Sequence, residues 1–555
     1  MAFSKDKGRD VTACDGLPLR MPCTPKRSLL HMNRFGGMAS PFGGGKVFSE
    51  GVNLSPRRGE EIATRLPRGV FMGSYGSGEP HGMVTFGGSL IFARGTGLYA
   101  TADGVTVHSL GTVSDTRKSF FIFGEKLYIY PDKLYMEKGG MPKPLELDTG
   151  VIEKAQFSVN TLRLPAGYSW ATLGFGVGDC LQVVNADDSE PAPEGYYRIQ
   201  RIQGSVATMA QSFPSTYTSN ARFLRPMPDL TACCVSGDRV YGIAGRSIHV
   251  SAAGSATDFY SYSTGDGSHA VTMTSDTEGD FTALASWQGY MVFFKEDRIC
   301  KLLGSRADSF TLQDRQAAGI SAALADTLCE VGEALYYATA GGVRRYRGQE
   351  PEWICSFGGA SARGGCGGTD GRAYYLALTV GDEARLSLYL PDEEAWYPED
   401  DMAVGAMLCR EGRVWMQNGS GVILTASSDG RPPETTYTEE NLRGIIRASV
   451  TLQPDRPDGG AYGVGMLRPT GVWIRATGRG VGSLRVYAAY ADGLAALDAT
   501  RETEALLGEF SSPMTDRLLT VPVWAGACDA VTLRLEMTGE WIIHDVIRRY
   551  ETVEA

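Results

Sequence analysis

The sequence predicts an all-β chain: a seven-bladed β-propeller with an inserted small β-barrel or sandwich domain, followed by a C-terminal antiparallel β-sandwich. Three observations predict it. Seventy glycines are scattered without a collagen period among many Tyr, Val and Thr, which favours short strands joined by tight turns. One strand-turn-strand phrase recurs seven times. Helix signals are weak, the segment ATRETEALLGEF around Glu504 being the best candidate.

The recurring phrase is a Gly-acidic or Gly-polar turn, an alternating apolar strand, a short turn and a second strand. It reads GGSLIFARGTGLYAT from Gly87, GEKLYIYPDKLYME from Gly124, GDRVYGIAGRSIHVS from Gly237 and QGYMVFFKEDRICKL from Gln288. It continues as GEALYYATAGGVRRYRG from Gly332, DGRAYYLALTVGDEARLSLYLP from Asp370 and EGRVWMQNGSGVILTA from Glu411. Most copies are spaced by roughly 37 to 51 residues, the period of a four-stranded blade repeated around an axis. A single blade cannot bury both its faces alone, so such a ring must close.

One interval is too long. Gly124 and Gly237 are separated by about one blade plus roughly 75 residues, and the surplus carries strand patterns at Cys180 to Val184, Tyr196 to Ile202 and Val206 to Met209. The propeller is therefore expected over 66–150 and 226–428, interrupted by a small β domain at 151–225. Residues 1–65 form a basic, extended N-terminal arm, expected to dock on an acidic neighbour. Residues 429–441 make a polar linker, and the longer alternating strands of 442–555 make the sandwich, with strands expected in IIRASVTL, TGVWIRAT, GSLRVYAAYADG, RLLTVPVW, AVTLRLEMTG and EWIIHDVIRRYE.

Composition excludes several function classes. A formal net charge of -11 argues against a protein that grips nucleic-acid phosphate over its whole surface. No apolar run reaches the length of a membrane span, and the N-terminal stretch lacks a signal-type apolar core, so no membrane anchor is expected. Eleven cysteines show no Cys-x-x-Cys pair or zinc spacing and are expected as reduced thiols in strands. Six scattered histidines form no metalloprotease motif, and no Gly-x-Ser-x-Gly elbow is present, so catalytic, cofactor-binding and metal sites are all expected to be absent. His249 is expected as a core or edge histidine. The glycine-rich run from Gly358 to Arg372 lacks the Lys-Ser/Thr ending of a phosphate loop and is expected to be a flexible inter-blade loop. The acidic clusters Asp392 to Glu394 and Glu399 to Asp401 lack calcium-loop spacing and are expected to be solvated loop charge.

Two stretches carry a resemblance. FSEGVNLSPRRGEEIATRLPRG, from Phe48 to Gly69, resembles the lead-in segment of tailed-bacteriophage tail proteins, in which Asn53 and Leu54 precede an Arg-x-Pro-Arg piece, here Arg65, Pro67 and Arg68. SAAGSATDF, with Ser251, Gly254, Asp258 and Phe259, is similar to a loop in phage nozzle, hub and stabilisation proteins, which are β-propeller virion components. The inserted domain and the basic arm depart from that pattern. The resemblance implies a structural virion protein, assembled in the bacterial host cytoplasm. It would form a ring-like tail nozzle or hub component, a homo-oligomer of six copies. Its partners would be other tail and neck proteins, and viral DNA would pass transiently without sequence recognition.

Two other readings stay open. A distal tail-tip adhesin would use Trp473, Tyr487, Tyr490 and Trp524 to stack on a host receptor or glycan, although the same rings also suit a sandwich core. A propeller glycoside hydrolase would need two carboxylates on a central face. The Ser251 to Phe259 loop is expected to close blades on one another, with Gly254 making the turn and Phe259 packing back, rather than to do chemistry.

Overall fold

The computed structural model describes residues 10–12, 18–20, 26–32, 37–40, 48–57, 61–186, 191–262, 267–426, 438–439, 444–456, 466–491, 504–523 and 526–553. They form two compact units, one of Val70–Leu386 with Asp401–Ala426, the other of Met1–Gly69, Ser387–Asp400 and Ser427–Ala555. No helix among the described residues is long and apolar enough to cross a membrane.

Seven four-stranded antiparallel sheets make the blades of a propeller. Blade one spans Pro80–Phe86, Ser89–Arg94, Gly97–Thr101 and Val107–Thr112, and each predicted phrase supplies the second and third strands of its blade. The first strand of each blade lies innermost. Ser119–Phe123 of blade two contacts Pro80–Phe86 and Ala232–Ser236, and Val404–Arg410 of blade seven returns to Pro80–Phe86, so the ring closes. Closure is also secured by strand pairing. Gly69–Met72, from before blade one, is the fourth strand of blade seven, beside Ile423–Thr425. The two chain ends of the ring therefore share one sheet, which removes the open edge an unclosed ring would expose.

Blade six corrects one expectation. Ala362–Thr369, within the run read as a flexible loop, is its innermost strand. A Cβ on Gly365 would lie 2.4 Å from the Ala377 carbonyl oxygen, and one on Gly367 would lie 2.7 Å from that of Thr327. These glycines admit neighbouring backbone where the ring is most crowded; they do not loosen the chain.

Between blades two and three, six strands from Leu147–Ser158 to Tyr217–Arg225 form a closed barrel. Its core is packed by Phe157, Trp170, Leu181, Ile199, Met209 and Phe223 among others. The barrel strands Cys180–Asn185, Gly195–Gln203 and Val206–Met209 coincide with the three strand patterns legible in the sequence.

In the second unit the C-terminal strands build an antiparallel sandwich around two very long strands, Met466–Ala491 and Ala530–Val553, paired along almost their whole length. Four strands expected separately thus merge into two. The ladder is interrupted between Arg479 and Ser483, where a Cβ on Gly482 would lie 2.1 Å from the Thr538 carbonyl oxygen and Gly539 has φ +84°. Such a bend lets one strand serve two layers. Leu467 and Tyr550 on one side of the bend pack with Val531 and Tyr490 on the other. The candidate helix is overturned: Glu504–Ser511 is a strand paired with Ser483 to Ala489. Its propensity yields to a place at the sheet's edge.

The N-terminal region also departs from a separate arm. Lys26–Met32, Phe48–Val52 and Glu61–Thr64 all pair into this C-terminal sheet. Of the linker at 429–441, only 438–439 fall within the described residues.

Candidate functional site: two buried joints

The lead-in segment folds into a clasp within the second unit. Asn53 has φ +55°, a left-handed conformation that Asn tolerates better than most residues. That geometry turns its amide to two tasks. Its Nδ2 donates to the Arg447 carbonyl at 2.8 Å, and its Oδ1 accepts from Arg65 Nε at 2.6 Å. Leu54 is buried beside Gly51, and Ile62 and Ala63 pair with Ile543 and Ile542. Pro67, also buried, separates the two arginines.

The arginines meet the acidic pair expected to be solvated. Arg68 donates from Nη2 to Glu399 Oε2 at 2.6 Å and from Nη1 to Asp400 Oδ2 at 2.8 Å, while Arg65 Nη2 reaches Asp400 Oδ2 at 3.3 Å. Glu399 is only 6% exposed, which overturns the reading of Glu399 as loop charge: buried carboxylates persist because each is matched by a guanidinium. Glu399 and Asp400 were the functional partners the sequence reading missed. Their signal was the Arg-x-Pro-Arg spacing itself, two fixed cations in an acidic chain.

The Ser251 to Phe259 loop is the second joint, and it lies between blade three and the inserted barrel. Strands Arg239–Ala244 and Ser247–Val250 deliver the chain into it. Ser251 Oγ accepts from the Val240 N–H at 2.8 Å, and Arg239 Nη1 donates to the Ser251 carbonyl at 2.7 Å. Gly254 has φ +72° with open space where a Cβ would stand, so the backbone angle alone requires glycine there. Phe259 is fully buried against Phe121, Tyr130, Leu145, Leu230 and Val240. Phe259 thus packs among residues of blades two and three.

Across from the loop, the barrel supplies polar partners. Ser255 Oγ donates to the Gly178 carbonyl at 2.8 Å, Thr257 Oγ1 to Asp179 Oδ1 at 2.7 Å, and Arg198 Nη2 to the Ala253 carbonyl at 2.8 Å. Arg225 Nη1 holds the other Asp179 oxygen at 2.8 Å. Asp258 is fully buried. Its Oδ1 accepts from the N–H groups of Ser261 and Tyr260 at 3.0 and 3.3 Å, and Arg198 Nε stands 3.7 Å from Oδ2. Burial pushes this carboxyl above the usual range, the hydrogen bonds and Arg198 only partly opposing it. Burial likewise raises the Cys180 thiol well above its ordinary value, which makes it a poor nucleophile. The hydroxyls of Ser251 and Ser255 tie the loop to blade three and to the barrel.

Around the propeller axis, Arg117 in the connection into blade two forms an ion pair with Asp326 in the connection into blade five. These blades stand three apart in a ring of seven, so the contact spans the channel mouth. His81, on the innermost strand of blade one, pairs with Asp115 at 2.6 Å beside it. A cavity of about 200 Å³ near Gly364, Leu378, Met402 and Gly405 is lined by backbone and apolar groups. Among the described residues no three His, Cys, Asp or Glu side chains are placed to hold a metal ion.

The aromatic residues singled out on the C-terminal strands divide. Trp473 and Tyr487 are half-buried under guanidiniums, Arg549 lying 5.3 Å from the Trp473 ring centre and Arg534 4.3 Å from that of Tyr487. Tyr490 packs against the Leu467 cluster, and Trp524 lies outside the described residues. His249 sits in a strand with Nδ1 3.2 Å from Thr272 Oγ1, and burial lowers its pKa.

No protein-family model and no curated protein matches the chain. Among solved structures it is similar to Ika8, a computationally designed protein, at 10% identity over 65% of this chain and 99% of that one, with a TM-score of 0.34. PorZ, a surface component of the type-IX secretion system of Porphyromonas gingivalis, matches at 13% identity over 73% of this chain and 44% of its own, TM-score 0.33. BamB from Moraxella catarrhalis matches at 11% identity over 69% and 95%, TM-score 0.32. At these scores the likenesses decide neither blade number nor role.

Proposed function

We propose that this chain is a structural virion protein of a tailed bacteriophage, a ring-forming nozzle or hub component that connects tail parts and conducts or gates DNA. One observation carries the reading: both segments that resemble phage tail proteins are buried joints of the fold. Their polar groups hold strands, barrel and blade together, the task of a structural wall rather than of a reactive site. Because an ion pair spans the propeller's own axis, a DNA path in this reading lies between copies arranged in a ring. The acidic chain would repel phosphate and let the duplex slide. Mass spectrometry of purified virions from a host expressing the chain during infection is the test. The chain is expected at several copies per particle, and its absence from virions would refute the proposal.

A second reading, a distal tail-tip adhesin, draws on the half-buried rings of Trp473 and Tyr487. It expects the full chain to bind host cells and Trp473→Ala with Tyr487→Ala to abolish that binding.

A further inference from the structure

Blades four and five meet in a belt of rings and cations that the two joints do not use. In blade five, Arg344 stands opposite Trp353 in the ladder, its guanidinium carbon 3.7 Å from the indole centre. Trp353 is on the blade's outermost strand, with Arg344 on its ring and Gly342 beside its edge, and is still 55% exposed. In blade four, Lys301 Nζ lies 5.9 Å from the Trp287 ring centre and 5.8 Å from those of Tyr290 and Tyr346, and donates to the Gly348 carbonyl at 2.9 Å. Trp287 and Tyr346, with ring centres 5.6 Å apart, bring the two blades together, and Tyr290 is 43% exposed.

The charges around this belt are unevenly matched. Arg345 holds Glu352 at 2.6 Å and Arg315 lies 3.8 Å from Glu350. Lys301 and Arg344 form no ion pair with any carboxylate among the described residues; each is held by a carbonyl instead, Lys301 Nζ by that of Gly348 and Arg344 Nη1 by that of Pro351 at 3.2 Å. In a chain with a net charge of -11, two cations that lie on ring faces beside exposed rings, and are held by carbonyls rather than acids, favour an acidic partner. A rigid, half-open Trp with an Arg behind it and a Tyr beside it is also the composition of an interface hot spot.

We propose that Trp353, Tyr290, Lys301 and Arg344 form a docking surface for an acidic protein segment, an extended stretch whose carboxylates meet the two cations while an apolar side chain covers Trp353. A protein segment suits the belt better than nucleic acid. Polyphosphate binding needs a track of cations, whereas here only two cations without acidic partners stand beside an exposed Trp and Tyr that an apolar side chain of a protein segment can cover. The inference holds whether or not the chain belongs to a phage tail.

The test uses the full chain and a short dye-labelled peptide of alternating Glu and Val, read by fluorescence anisotropy. The same peptide with Lys for Glu, and a single-stranded DNA oligonucleotide, are the comparators. The glutamate peptide is expected to bind, to weaken about tenfold or more in Trp353→Ala and Arg344→Met, and to weaken with added salt. Arg344→Lys, which keeps charge but loses planar stacking, should fall between. Circular dichroism and melting of each variant separate lost binding from lost folding, and Trp353→Phe provides a second, milder variant. No binding of the glutamate peptide, equal binding of the lysine peptide, tighter binding of DNA, or unchanged affinity in folded Trp353→Ala would each overturn the proposal.

Discussion

The clasp around Arg68 and the loop around Asp258 both bury carboxylates, but they neutralise them differently. In the clasp, Glu399 and Asp400 meet Arg68 at 2.6 and 2.8 Å. In the loop, Asp258 relies on backbone N–H donors, with Arg198 no closer than 3.7 Å. Direct guanidinium-to-carboxylate pairing makes the clasp intolerant of losing either side. The loop can instead answer burial by binding a proton, and its strength comes from Phe259 packing and neutral hydrogen bonds.

That contrast fixes the order of the expected effects. Arg68→Met should cost the most, about 4 kcal/mol, because the buried Glu399 and the half-buried Asp400 lose their closest cation; urea unfolding measures it. If Glu399→Gln combined with Arg68→Met recovers none of the loss, the clasp is not an ion-pair network. Phe259→Ala should cost about 3 kcal/mol through the cavity it leaves, and an unchanged melting temperature would contradict its burial. Gly254→Ala should cost about 1 kcal/mol from the left-handed backbone angle alone, since a methyl there meets nothing, and Gly254→Asn should cost less.

The last difference is one of pH. Asp258 keeps its proton to higher pH in the folded chain than in the unfolded one, because burial raises its pKa. Between those two values the folded state binds the extra proton. This contribution is therefore fully present below the ordinary Asp range, near about pH 4, and is lost as pH rises through the folded value. Asp258→Asn should remove that slope, measured as unfolding free energy between mildly acidic and neutral pH. A slope unchanged in the variant would assign it elsewhere.

The blades were legible because each repeats the same local signal: a turn and two alternating strands, as in Gly237 to Val250. The barrel was legible as a break in that period. What escaped the sequence was non-local. Gly69–Met72 finds its partner in Ile423–Thr425 and Lys26–Met32 finds its own beyond Val546, and nothing within either strand announces a partner hundreds of residues away. The glycines of Ala362–Thr369 were misread because the same residue serves a mobile turn and a crowded strand, and only the neighbours distinguish them. Glu399 and Asp400 looked solvated because charge in sequence carries no record of burial. The loop joint was half legible: Gly254 and Phe259 follow from turn and packing chemistry, whereas Asp179, Arg198 and Arg225 on the barrel could not be paired with it in advance.

The Arg117 to Asp326 pair gives the propeller a property its blades lack. Neighbour contacts alone make a hoop, and a hoop squeezed from one side goes oval. A link between connections on nearly opposite blades acts as a spoke, carrying a push on one side of the rim directly to the other. Both ends are partly exposed, 38% and 43%, so the spoke adds only about 0 to 1 kcal/mol and salt weakens it. Salt is therefore expected to loosen this link while leaving the packed faces of the blades unchanged.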